Sequence, residues 1–336
     1  MIQTLHLMLA LLTGTPEYSI VVGTYTDTGS KGIYAFNLGK DMRTVEQVGV
    51  SQDVPNPSFL AYERGIVYAV NELDPGKVQS YSYPDFKLIA ELETGGAHPC
   101  HLSISNGKLY AGNYSGGNLM SYVIDGGKLK RENFFQNEGS GPVKGRQEKP
   151  HVHSVNPSPN GKEIWVADLG TDEVLVFDAS DWKKMKRIAL KPGAGPRHIT
   201  FHSRMELAYV INELDNTITV IDTKTHALVQ TISTLPAGFE GRSHCADLHL
   251  SPDGKFLYGS NRFSDTIAVF AVDQKTGHLV WVEAVPAGGK VPRNFAISPD
   301  GKFVLVALQD SNKIVIFSRD LKTGKLKNTG RDLEVP

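Results

Sequence analysis

The sequence predicts an all-β fold, a seven-bladed β-propeller built of four-stranded antiparallel blades. Three observations carry the prediction. An apolar strand, a short polar break and a second apolar strand recur seven times along the 336 residues. Six of the seven copies follow another short strand. No stretch of the chain shows helical organisation.

The units come in order. The first reads SIVVGTYTDTGSKGIYAF from Ser19 and has no strand segment directly before it. The second joins PSFLAYE from Pro57 to VYAVNELDPGKVQSYSY from Val67, and the third joins CHLSIS from Cys100 to LYAGNYSGGNLMSYVI from Leu109. The fourth joins VHSVNPSPNG from Val152 to IWVADLGTDEVLVFDA from Ile164, and the fifth joins RHITFHS from Arg197 to AYVINELDNTITVIDT from Ala208. The sixth joins ADLHLSPDG from Ala246 to LYGSNRFSDTIAVFAV from Leu257, and the seventh joins NFAISPDG from Asn294 to VLVALQDSNKIVIFSR from Val304. Each is rich in Val, Ile, Tyr and Phe with turn residues between, which is strand chemistry. The dipeptides Asn160-Gly161, Asp253-Gly254 and Asp300-Gly301 mark tight turns into the next strand. An outer strand closes each unit, as at Gly277–Val282. Equivalent points are Thr24, Asn71, Asn113, Asp168, Asn212, Asn261 and Leu308, spaced 42 to 55 residues apart. That is the period of a propeller blade.

Ring closure is open at this level. The first unit lacks its inner strand, and one is expected to start at Leu333-Glu334-Val335-Pro336; either a few further C-terminal residues complete it, or Leu5–Leu12 fills the gap. The expected organisation is a lead-in over 1–17 and one propeller domain over 18–336. The apolar run LHLMLALL is too short to span a bilayer, and no Lys or Arg precedes it as the n-region of a signal peptide would require. A cytoplasmic location is therefore slightly favoured, with export to the periplasm if residues 1–14 are a signal segment.

Composition is that of a soluble globular chain, 40% hydrophobic and 21% charged. The formal net charge of −1 and the lack of a basic run argue against a nucleic-acid partner. Cys100 and Cys245, far apart and outside any CxxC spacing, read as two free thiols. Oligomeric state is not legible.

In a propeller blade the start of the innermost strand and the end of the second lie side by side at one face. The pairs expected there are Asn56–Ser58 with Glu72, Cys100-His101 with Tyr114, and His151 and His153 with Asp168-Leu169. Then come Arg197-His198 with Glu213, His244 and Asp247 with Arg262, and Arg293-Asn294 with Gln309. The strand cores repeat, but the residue after each repeated point varies: Tyr25, Glu72, Tyr114, Leu169, Glu213, Arg262, Gln309. One asymmetric ligand site on a symmetric scaffold demands that variation.

Arg197, Arg262 and Arg293 have the guanidinium fork that suits carboxylate or phosphate, against the structural alternative of tying blade loops together. Glu213 is a candidate base or direct ligand contact, against a plain ion pair, and Glu72 is its counterpart in another blade. His153 is a candidate acid, base or substrate contact. His151 alternates with it, and H-x-H without a third ligand is too little for zinc. His198, His101, Tyr114, Asn294 and Gln309 complete the expected substrate-binding set, and no metal or cofactor is expected. Asn113–Asn118 lacks the strand–helix context of a phosphate loop, and no G-x-S-x-G elbow occurs.

The segments GTYT, NPSFL, NYSGGN, RQEKPHVHSV, DLGTD, GPRH, NEL, HLSPDGKFLYGSNR and PRNFAISPDGKF, in this order from about Tyr18 onward, resemble the seven-bladed propeller lactonases. That family includes a bacterial type of 6-phosphogluconolactonase and the fungal carboxy-cis,cis-muconate cyclase. In the cyclase a histidine, two arginines and a glutamate surround the channel mouth. The resemblance carries these roles to His153 (or His151), Arg197, Arg262 and Glu213. One departure is Leu308-Gln309, where relatives commonly have Asn before the Gln. The resemblance implies hydrolysis of a sugar-derived or anionic lactone, foremost 6-phosphogluconolactone, without a metal. The alternatives are a lactonising cycloisomerase acting on a muconate-like diacid and a non-enzymatic binding platform.

Overall fold

The computed structural model describes residues 3–6, 18–27 and 29–336, the first four as backbone only. Their strands form seven four-stranded sheets, and within each sheet sequential strands are neighbours. These are the blades of the predicted seven-bladed propeller. Blades I to VII begin with the strand pairs Gln3–His6 and Tyr18–Thr24, Leu60–Glu63 and Ile66–Asn71, Pro99–Ser105 and Lys108–Asn113, Val152–Pro157 and Glu163–Asp168, Pro196–Phe201 and Leu207–Asn212, His244–Leu250 and Phe256–Arg262, and Pro292–Ile297 and Phe303–Leu308. The single helical element described is a 3₁₀ turn at Gln309–Ser311. No helix among the described residues is long and apolar enough to cross a membrane.

Blade I is completed by Gln3–His6, which overlaps the expected Leu5–Leu12 segment only at Leu5-His6; residues 7–12 lie outside the described residues, as does most of the 1–17 lead-in. The other expectation is corrected. Leu333 does not begin an inner strand: Leu326–Glu334 is the fourth strand of blade VII, and Leu333 pairs with Ile314.

Contacts divide the described residues into two compact units, one of Gly23–Ile33 and Gly49–Ile199, the other of Tyr34–Val48 and Thr200–Pro336 with the described residues up to Val22. Neighbouring blades within each unit share an apolar layer. In the first, Tyr68, Val70 and Val78 of blade II pack on Leu102, Leu109 and Tyr122 of blade III. In the second, Tyr209 and Ile211 of blade V pack on Leu248, Leu257 and Phe270 of blade VI. Second and third strands are buried almost throughout, whereas fourth strands alternate, as Leu88–Glu93 does. Burying one such large side chain contributes about 1.5–3 kcal/mol.

The repeated position at the end of the second strand is a clasp. Asn71 donates to Pro55 O at 2.8 Å, Asn113 to Thr94 O at 3.2 Å, and Asn261 to Thr234 O at 3.0 Å. Asp168 does the same work as an acceptor, taking His151 N, Gly170 N and Thr171 N on Oδ1 and Asn137 Nδ2 on Oδ2. These four tie the blade's face to the connection entering it, whereas Asn212 bonds within its own blade to Thr217 and Thr219, and Thr24 to Gly32 O. Leu308 makes no such bond and packs instead into the apolar cluster with Phe295, Val306 and Val315.

A second repeated device is the turn Ser-Pro-(Asn/Asp)-Gly. In blades IV, VI and VII, Ser158, Ser251 and Ser298 donate to Asn160, Asp253 and Asp300. The amide or carboxylate oxygen then accepts the N–H of Lys162, Lys255 or Lys302. Gly161, Gly254 and Gly301 take φ of 66°, 69° and 72°, the left-handed region that favours glycine.

These turns make the fold acid-sensitive. Burial opposes ionisation of Asp300, but Ser298, Lys302 and Tyr18 outweigh it and bring the carboxyl from 3.8 to about 2. Asp253 is lowered too: burial is outweighed by Ser251, Lys255 and Arg319. A carboxyl whose folded pKa lies below its unfolded value stabilises the fold above the unfolded value and loses that contribution as pH falls through the folded one. The urea midpoint is therefore expected to hold from neutrality to about pH 4 and to fall between about pH 4 and 2. Asp300→Asn should flatten that slope, by at most about 1 kcal/mol for an exposed group. An unchanged slope would locate the acid sensitivity elsewhere.

Candidate functional site

Within the first unit the connection 137–151 brings His151 and His153 to blade III. Gln147, fully buried, anchors it through Nε2 to Leu169 O at 2.8 Å and to Asp172 Oδ1 at 2.7 Å. Asp168 then fixes the backbone N–H of His151, and Leu169 N returns a bond to His151 O. A bulge between Val152 and Ser154 sets the aim of His153. Both imidazoles meet the ring of Tyr114: His151 stacks on it at 4.4 Å and His153 meets it edge-on at 5.3 Å. His151 Nδ1 donates to Tyr114 O at 3.0 Å.

His198, Arg197, His101 and Phe59 gather with them. His198 is edge-on to His153 and to His101, at 5.5 Å in each case. Arg197 Nη1 donates to His198 Nε2 at 3.2 Å, and its side chain is buried. His101 Nδ1 accepts the N–H of Val155, which leaves Nε2 to carry the proton of the neutral ring. The ring of Phe59 lies 4.2 Å from that of His101. Cys100, buried and in no disulfide, contacts His153 Nδ1 at 3.7 Å. Glu72 stands apart in its bonding: it accepts Tyr25 Oη at 2.6 Å and Ser58 Oγ. Phe59 is absent from the expected site residues although it lies in the NPSFL segment, whereas Tyr25 is expected only as a member of the variable series that follows the repeated points.

The second unit holds a buried ion pair. Arg262 Nη2 meets Glu213 Oε2 at 2.8 Å, with side chains only 10% and 4% exposed. The same Nη2 donates to Cys245 O at 3.1 Å, and Cys245 N donates to Glu213 O. His244 pairs with Arg262 across the first two strands of blade VI, as expected. Asp247 does not reach that level; its N–H donates to Ser260 Oγ. It serves instead as a four-way acceptor for Leu248 N, Phe295 N, Asn294 Nδ2 and His249 Nε2. His249 is raised above its ordinary pKa because Asp247 outweighs the opposing burial. Burial pushes the Cys245 thiol up to about 12, so it is no nucleophile at neutral pH.

The last expected residues divide. Asn294 is buried and its amide N–H is committed to Asp247 at 2.6 Å. Arg293 is half-buried beside it on the same strand. Gln309 starts the 3₁₀ turn, and its Oε1 is buried with no hydrogen-bond partner among the described residues.

One arrangement was not legible beforehand. Arg242, in the connection between Ser233 and His244, places its guanidinium carbon 3.7 Å from the centroid of the Phe263 ring. That ring also meets His244 edge-on at 5.6 Å. Phe263 holds φ at +71°, which costs a non-glycine residue about 1–3 kcal/mol.

The family described as lactonase, 7-bladed beta-propeller, matches residues 19–336. The chain is similar to a 6-phosphogluconolactonase of Bacillus subtilis, 32% identical over 296 residues that cover 83% of this chain and 84% of the relative. It is also similar to a 6-phosphogluconolactonase of Formosa agariphila, 36% identical over 305 residues covering 82% and 85%. Among solved structures, the periplasmic gluconolactonase of Pseudomonas aeruginosa superposes with a TM-score of 0.88 at 32% identity, covering 95% of this chain and 96% of that one.

Proposed function

This chain belongs to the seven-bladed β-propeller lactonase family, and we propose on that footing that it hydrolyses a sugar lactone, 6-phosphogluconolactone, to the open hydroxy acid. The observation that carries the chemical part is the buried Glu213–Arg262 pair, 2.8 Å apart, formed between the variable ends of the second strands of blades V and VI. Water attacks the lactone carbonyl carbon, and Glu213 takes its proton. Negative charge grows on the carbonyl oxygen, where Arg262 stabilises it. The carbonyl then re-forms, the ring C–O bond breaks, and the proton passes from Glu213 to the departing alkoxide. Water is consumed and no redox step occurs.

His153 and Arg197 keep the roles that the family motifs imply, as substrate-contacting groups, with His151, His198, His101 and Tyr114 holding them in position. The related proteins' names favour hydrolysis over the lactonising isomerase and over a non-enzymatic platform.

The test is an assay of purified protein, with EDTA present, on 6-phosphogluconolactone, unphosphorylated gluconolactone and a muconate-type diacid. Ring opening of the lactones well above the spontaneous rate is expected. Turnover of the diacid alone would support the isomerase, and a background rate on all three would leave a binding platform. An activity abolished by EDTA would overturn the metal-free scheme.

A further inference from the structure

We propose that Arg242, seated on Phe263, is the residue that reads the phosphate of the substrate and so sets the preference for a phosphorylated lactone. The inference rests on the lactonase reading and goes on to name a specificity determinant for it. Four observations in the second unit lead there. Arg242 is exposed, and among the described residues its N–H groups meet no carboxylate or carbonyl within hydrogen-bond distance. Arg262 is in the opposite state in the resting site, ion-paired with Glu213 until that carboxylate takes the water proton, and with a donor committed to Cys245 O. A dianionic phosphate needs an uncompensated cation, and a guanidinium supplies a fork that matches phosphate oxygens.

Arg242 is also held in place rather than left to wander. Its guanidinium carbon lies 3.7 Å from the Phe263 ring centroid. Ser243 and Ser264 bond to each other at 3.0 Å, and Asn216 Nδ2 donates to Ser243 O at 3.1 Å, so the connection carrying Arg242 is fastened to its neighbours.

Finally, the chain departs from its own repeat to make this seat. The positions equivalent to Phe263 are Thr26, Leu73, Ser115, Gly170, Leu214 and Asp310, and none of them has a positive φ. Only in blade VI does an exposed aromatic residue take φ of +71° there. The sibling turns share one left-handed residue with blade VI, at Asp172, Asn216 and Asn312 against Asp265, so the positive φ of Phe263 is additional to the common turn and singles this position out for a ligand. Phe263 directly follows Arg262, so the seat lies one residue from the proposed oxyanion contact.

The experiment compares wild type, Arg242→Ala, Arg242→Lys and Phe263→Leu on 6-phosphogluconolactone and on gluconolactone. In Arg242→Ala the ratio of kcat/KM for the phosphorylated over the plain lactone should fall by about 10–100-fold, chiefly through KM. Arg242→Lys keeps charge without the fork and should fall between, as should Phe263→Leu, which removes the seat. An unchanged ratio in Arg242→Ala, or a wild type that does not distinguish the two lactones, overturns the assignment while leaving the lactonase reading intact. A wild type inactive on both lactones overturns the lactonase reading instead.

Discussion

Glu213→Gln should reduce kcat for lactone opening by about a hundredfold or more, the usual contribution of a positioned general base. The exchange keeps shape and one acceptor oxygen for Arg262 but removes proton affinity. The variant should fold, since Arg262 Nη2 retains Cys245 O as a partner. Its pH profile separates catalysis from mere positioning. Wild type should lose rate on the acid side as Glu213 protonates; Glu213→Gln should lack that limb and rise only as hydroxide becomes abundant. Glu213→Ala is the harsher change. It leaves a guanidinium 10% exposed without its counter-charge, and stability should drop by about 3–5 kcal/mol. Arg262→Gln should slow the chemical step by a similar factor, through loss of oxyanion stabilisation. The double variant Glu213→Gln/Arg262→Gln should cost much less than the sum of the two, because the pair acts as a unit. If Glu213→Gln kept kcat within about threefold of wild type, the carboxylate would be an electrostatic anchor for Arg262 and the base would have to be sought elsewhere.

The propeller was readable because blade strands are short, β-branched and aromatic, and recur at a fixed period, so each copy reinforces the others. The clasp residue and the variable position after it were both visible in the alignment of the chain with itself. What escaped has physical causes. Gln3–His6 carries little β-branched or aromatic signal, so the strand that completes blade I could not be placed from propensity. The bulges between Val152 and Ser154, Cys245 and Leu248, and Pro292 and Asn294 shift register near the start of a first strand. Counting along the strand therefore misjudged Asp247 and Asn294, which bond to each other rather than reaching the end of their blades. Arg242 lies in a connection outside the repeat, where no sibling position draws attention to it. Its partner Phe263 looked like one more turn residue, and only its backbone angle reveals otherwise.

Removal of the Asp168 side chain should be the most destabilising clasp substitution, because this one carboxylate serves four donors. Three are backbone N–H groups, of His151 at 2.8 Å, Gly170 at 2.9 Å and Thr171 at 3.2 Å, and the fourth is Asn137 Nδ2 at 2.8 Å. Asp168 is fully buried, so water cannot replace it without opening the blade face. Each stranded donor costs about 1–3 kcal/mol and the terms are not additive, so Asp168→Ala should lose roughly 3–5 kcal/mol. Asp168→Asn should lose only about 1–3 kcal/mol. Its oxygen can keep the three backbone donors, and the conflict is confined to its amide nitrogen facing Asn137. Asn137 cannot turn to relieve it, since its Oδ1 is held by Arg187 Nη2 at 2.9 Å. Urea titration should show both as lower midpoints with an unchanged slope. The same substitutions should lower activity in the order of their effect on His151, whose N–H is fixed by Asp168. Equal losses for the two variants would mean that the bond to Asn137, not the three backbone bonds, secures this blade.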